Sequence, residues 1–140
     1  MGPSRYASLV KLKKKSLEEA ERDLLGANND VNAAAQRLED AYEVLRALSL
    51  PAQGSIRELS QANSMIQTQH RMIDQHQEVL ETARRRQHAM RELFESSRTE
   101  YEKFSYLEVQ EHKERLKKLK EQEAKMLDEI GTIMHKREKR

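Results

Sequence analysis

Val10, Leu17, Leu24, Val31, Leu38 and Leu45 stand seven residues apart, and Ala20, Ala27, Ala34 and Ala41 repeat at the same spacing three residues behind Leu17, Leu24, Val31 and Leu38. A heptad sustained this far commits the stretch to a helix that lies along another helix, because only a 3.5-residue repeat keeps one narrow apolar seam turned to a partner. Alanine at successive d positions admits a close partner backbone, so the partner must supply large side chains opposite.

The partner is expected within the same chain. Leu50-Pro51-Ala52-Gln53-Gly54-Ser55 is the one interior stretch that cannot continue a helix, since Pro51 lacks an N–H and disfavours helical geometry at Leu50. Ser55-Ile56-Arg57-Glu58 then has the S-x-x-E form of a capping box that restarts one. Beyond it a second seam runs Leu59, Ala62, Ile66, Gln69, Ile73, His76, Leu80, Ala83, Gln87, Met90, Phe94, Ser97 and Tyr101. Folding back at the bend pairs Leu45 with Ala62, Ala41 with Ile66, Ala34 with Ile73, Ala27 with Leu80, Leu24 with Ala83 and Leu17 with Met90. Large meets small in the five layers from Leu45–Ala62 to Leu24–Ala83, as a filled core requires.

The fold class is therefore all-α. One antiparallel coiled-coil hairpin spans residues 1–140, with helices over about 5–49 and 56–137 and the bend at 50–55. The arms are unequal: mirroring matches Ser4 to Ser49 only as far as about Lys103. Residues 104–140 are expected to overshoot unpaired by roughly 55 Å at 1.5 Å per residue. Near Phe104 the apolar phase slips, resuming as Val109, His112, Leu116, Leu119, Met126, Ile130 and Ile133, and such a slip straightens a supercoil locally. That stripe has no cover in its own chain, so it frays or meets a partner.

Composition closes off other classes. With 36% charged and 4% aromatic residues, no Trp and no Cys, there is too little bulk for a spherical core, and disulfides and thiolate metal sites are excluded. No apolar run reaches the roughly 18 residues that span a bilayer, no signal-peptide core is present, and Pro3 and Tyr6 spoil a myristoylation motif. A cytoplasmic protein without direct membrane insertion is expected. The net charge of +2 hides a polarity. Met1 to Leu17 carries five bases and no acid, Glu18 to Ala83 five bases against twelve acids, and Lys113 to Arg140 ten bases against six acids. Both chain ends are basic.

Catalysis is not expected. Gly2, Gly26, Gly54 and Gly131 are scattered, so no phosphate loop forms, and two helices offer no cleft where a nucleophile, base and oxyanion donors converge. His70 with Asp74, and His88 with Glu92, have metal-compatible i,i+4 spacing, but two ligands without a third make no site. No cofactor is implied. The basic tail has acids interleaved and few stacking aromatics nearby, which favours a solvated face over a nucleic-acid or membrane site. Insertion of the basic tip into an acidic protein cavity is a further reading. Gln69, His76 and Gln87 are polar seam residues that either fix register or belong to a surface stripe. Met65, Gln69, Met72 and His76, spaced 4, 3 and 4, share one helix face suited to an extended partner segment.

Ile66-Gln67-Thr68, then Ile73-Asp74-Gln75-His76 and Leu80, resembles the second-helix motif of the flagellar export FliJ family, and Arg5-Tyr6-Ala7-Ser8-Leu9-Val10-Lys11-Leu12-Lys13 resembles that family's opening. The length, the bend and the overshooting second helix agree with it. The resemblance implies a non-enzymatic central stalk and adaptor of a flagellar type III protein export apparatus, cytoplasmic and peripheral to the inner membrane. It implies as partners the hexameric export ATPase, the cytoplasmic linker of the membrane-embedded export gate, and export chaperones. Carried over by motif, gate docking falls on Met65, Gln69, Met72 and His76. His76 matches as it stands and Met65 keeps a bulky apolar group, whereas Gln69 and Met72 depart from the small or aliphatic residues of the family. The ring contact falls on Arg5, Lys11, Lys13, Lys14 and Lys15 with Leu116, Leu119, Met126, Ile130 and Ile133 of the tail. The alternatives are the ATPase stalk of a virulence-type secretion system, and a generic coiled-coil tether or chaperone whose tail dimerises through those same five apolar residues.

Overall fold

A computed structural model describes residues 4–138. It contains two helices, α1 (Ala7–Ala47) and α2 (Ile56–Glu138), and no strand among the described residues. They form a helical hairpin.

The helix ends are set by local chemistry. Ahead of α1, the Ser4 carbonyl accepts from Ala7 N at 3.1 Å and the Ser4 hydroxyl from Tyr6 N at 3.2 Å, serving donors that a first turn leaves orphaned. α1 closes with Leu48 N shared between the Val44 and Leu45 carbonyls, before Pro51 forbids continuation. At α2, the Ser55 hydroxyl accepts from Glu58 N at 3.2 Å, the first half of the expected capping box. The Glu58 carboxylate folds back onto Gly54, occupying the space a Cβ would need there.

The chain divides into two compact units, Glu18–Ser96 and the pair of segments Met1–Leu17 with Ser97–Arg140. In Glu18–Ser96, Ala20, Ala27, Ala34 and Ala41 are 2%, 1%, 3% and 6% exposed, whereas Leu24, Val31, Leu38 and Leu45 are only half-buried. The inversion follows from having two helices and no third layer. Short side chains lie wholly under the partner, while long ones splay to the edge and keep one side wet. From α2, Gln69, Ile73 and Leu80 are buried, with Ala62, Ile66, His76, Ala83, Gln87, Met90 and Phe94 half-buried between and beyond them. This is the expected seam.

The register along that seam differs from the expected pairing. Pairing Ala41 with Ile66 would set Tyr42 and Asn28 near Met65 and Val79. The hydrogen bonds instead join Ala41 to Gln69, Tyr42 to Gln77 and Asn28 to Gln87. All three displacements run the same way, toward the α2 C-terminus, and average about one heptad, a slide that keeps every a and d residue in the seam. Consistently, residues 56–61 at the start of α2 are exposed, with Ile56 87% and Leu59 38% accessible. The cause is visible in the partners. Seam glutamines need acceptors, and Ala41, with no side chain beyond Cβ, leaves its carbonyl open to Gln69 Nε2 at 2.9 Å, on the lone pair that the helix does not use.

Because Ala27 is the most enclosed seam residue, Ala27→Leu should lower stability by about 1–3 kcal/mol through overpacking. Ala35→Leu, on the exposed side of the same helix, should change it by less than about 0.5 kcal/mol. Urea unfolding followed by circular dichroism distinguishes the two.

Candidate interaction surfaces

Two surfaces carry the residues that the sequence singled out. The first lies in Glu18–Ser96. Met65 and Met72 are exposed at 58% and 43%, while Gln69 is 8% exposed with its amide on the Ala41 carbonyl, and His76 is half-buried. The four therefore occupy two levels. Met72 stands on the rim, and Gln69 and His76 belong to the floor, of a groove of about 400 Å³ that Val44, Arg37 and Asp40 complete from α1, while Met65 is exposed one heptad before Met72, outside its lining. A second groove of about 670 Å³ continues past the shared Arg37 to Val79 and Arg86, with Asp30 opposite. Sequence reasoning missed Val44 and Val79, each 50% exposed. The signal was present: Met65, Met72 and Val79 recur at heptad spacing just before the seam residues Ile66, Ile73 and Leu80, the position that flanks a coiled-coil seam. A trough with apolar rims and a few fixed polar groups suits an extended segment, whose side chains alternate into it.

The second surface lies in the other unit, where α1 begins. A helix N-terminus carries partial positive charge and favours acids in its first turn, yet the first turn of α1 has none. The counter-charge comes from α2. Glu111, 14% exposed at its side chain, accepts from the Ser4 hydroxyl at 3.2 Å and from Arg115 at 2.8 Å, with the Arg5 guanidinium at 3.8 Å. Further along α1, Lys13 pairs with Glu100 at 3.5 Å and sits 5.7 Å from the Phe104 ring centre, against which Tyr6 packs at 6.5 Å. Of the five bases expected to meet a ring, Arg5 and Lys13 are thus engaged within the chain. Lys11, Lys14 and Lys15 are exposed.

Past Phe104, helix packing and apolar pattern part company. The sheltered positions continue in the old phase as Glu108, Glu111 and Arg115, while the apolar stripe follows the new one, leaving Val109 at 51% and Leu116 at 46% exposed. Leu119 is half-buried; every residue from Lys120 to Glu138 is exposed, including Met126 (61%), Ile130 (50%) and Ile133 (54%). Leu127 and Met134, at 69% and 60%, widen the stripe in a way the heptad count had not included. No cluster of metal-ligating side chains occurs among the described residues, and no helix there is long and apolar enough to cross a membrane.

A helical hairpin with an alanine seam, a flanking groove and an exposed apolar stripe on α2 is the build of a coiled-coil component. A family model described as Flagellar FliJ protein matches residues 2–140, and the chain belongs to that family. Membership implies a role related to flagellar export. Searches of curated proteins and of solved structures returned no match.

Glu111→Gln should loosen the segment around Ser4–Lys13 while leaving Glu18–Ser96 unchanged. Amide exchange at the start of α1 should rise about fivefold, for a loss of roughly 1 kcal/mol, read by hydrogen–deuterium exchange with mass spectrometry.

Proposed function

We propose that this protein is a stalk and adaptor of the flagellar type III export apparatus, joining the hexameric export ATPase to the cytoplasmic linker of the export gate and escorting export chaperones. The observation that carries the reading is the exposed end of α2. Residues 120–138 are helical and exposed throughout, while keeping five large apolar side chains at 50–69% exposure. A lone amphipathic helix gains little from propensity, so such a stripe is maintained for a partner.

In this reading the tail, through Leu116, Leu119, Met126, Ile130 and Ile133, and the free bases Lys11, Lys14 and Lys15 face the ring, where interspersed positive charge meets acidic walls. Arg5 and Lys13 keep the α1 start seated on α2 and act on the ring indirectly. The gate linker lies in the groove of Glu18–Ser96, gripping Met72 at the rim and reaching the exposed Met65 beyond it, with Gln69 and His76 beneath. The protein works without catalytic groups or cofactor, at the cytoplasmic side of the inner membrane. The same features suit the stalk of a virulence-type secretion system, and family membership favours the flagellar one.

The two surfaces are separable by variants. Added to the export ATPase, the full chain should raise its turnover severalfold. Truncation after Leu119 should abolish the rise while gate-linker binding in a pull-down persists. Met65→Ala with Met72→Ala should do the reverse, with helicity by circular dichroism unchanged. No stimulation at saturating protein would remove the stalk reading.

A further inference from the structure

We infer that the α2 tail pairs with the tail of a second copy of this chain, antiparallel and centred on Glu121. The exposed stripe has a period that closes on itself. In that register Val109 meets the partner copy's Ile133, Leu116 its Met126, and His112 its Ile130, and each layer occurs twice by symmetry. The open groove of about 770 Å³ that follows Val109, Leu116 and Leu119 on this face is the kind of hole such knobs fill.

The flanking charges select this orientation. In an antiparallel coiled coil, g positions face g positions. Arg115 then stands across from Glu129 of the other copy and Glu108 across from Lys136, while Gln122 faces itself. Parallel pairing would instead set each g position against the following e position, placing Arg115 beside Lys120 and leaving Glu108 with Lys113 as its one complementary pair.

Opposing terms limit the affinity. Lys120 faces Lys120, and Glu123 enters the layer beside Leu119. The contact strip, residues 108–136, is about 45 Å long and about 10–12 Å wide, on the order of 500 Å² per chain before side chains interdigitate, which belongs to weak and concentration-dependent interfaces. The association is therefore reversible, with a dissociation constant on the order of 10–100 μM. Resting on the stalk reading, one consequence follows: self-pairing covers the face that would enter the ring, so the protein would be held inactive until an ATPase competes for its tail.

The chain has no cysteine, which makes orientation directly readable. Under mild oxidation, Gln122→Cys should cross-link to a dimer. His112→Cys, a seam position that meets itself only in a parallel pair, should not. In sedimentation velocity from 5 to 200 μM, Lys136→Glu and Glu108→Lys should each weaken dimerisation about three- to fivefold, and combining them should restore it. A chain that stays monomeric at 200 μM, cross-linking through His112→Cys, or a double variant no better than the singles overturns the inference. None of these readings uses the ATPase, so their failure leaves the stalk reading standing, and loss of ATPase stimulation leaves self-pairing standing.

Discussion

The close approach of α1 and α2 over a column of alanines is the constraint on which the rest depends. With Ala20, Ala27, Ala34 and Ala41 almost fully enclosed, the backbones come near enough for a side chain on one helix to reach a main-chain carbonyl on the other. Gln69 does so. A leucine at position 41 would have shielded that carbonyl, and Gln69 would then have been a buried amide without a partner, at a cost of about 1–3 kcal/mol. Small residues thus permit polar ones in the seam, and the polar ones choose among registers that apolar packing alone leaves nearly equal.

This explains which parts of the fold were legible. Heptad spacing depends on residue identity along one helix, and both the seam residues and the helix ends at Ser55 and Pro51 follow from it. The sliding register depends on the difference between two pairings one heptad apart. Both place large residues against small ones, because both sequences carry the same period. Volume complementarity, on which the expected pairing rested, does not discriminate between them. Hydrogen bonding of Gln69, Gln77 and Gln87 does, and its partners on α1 become apparent only in three dimensions.

The groove was half legible for a related reason. Spacing put Met65, Gln69, Met72 and His76 on one face, and a single helix gives no more than that. Whether a residue on the face is rim or floor is decided by the height of the opposing helix, here Val44 and Arg37. Gln69, one position nearer the seam than the methionines, falls beneath it.

At the far end the same logic runs in reverse. Helix α2 has one seam phase up to Phe104, and α1 follows it, because the first helix cannot change face without breaking its own heptad. When the apolar pattern of α2 advances by one residue, α1 stays on the old line and meets Glu108, Glu111 and Arg115. These carboxylates answer an α1 start rich in bases and without a first-turn acid, so the polar stretch is well matched where it lies. The apolar residues are thereby turned away from the only helix of their own chain that could cover them. A phase slip of one residue, with charge complementarity holding the first helix in place, turns what would have been a core stripe outward into an exposed apolar face.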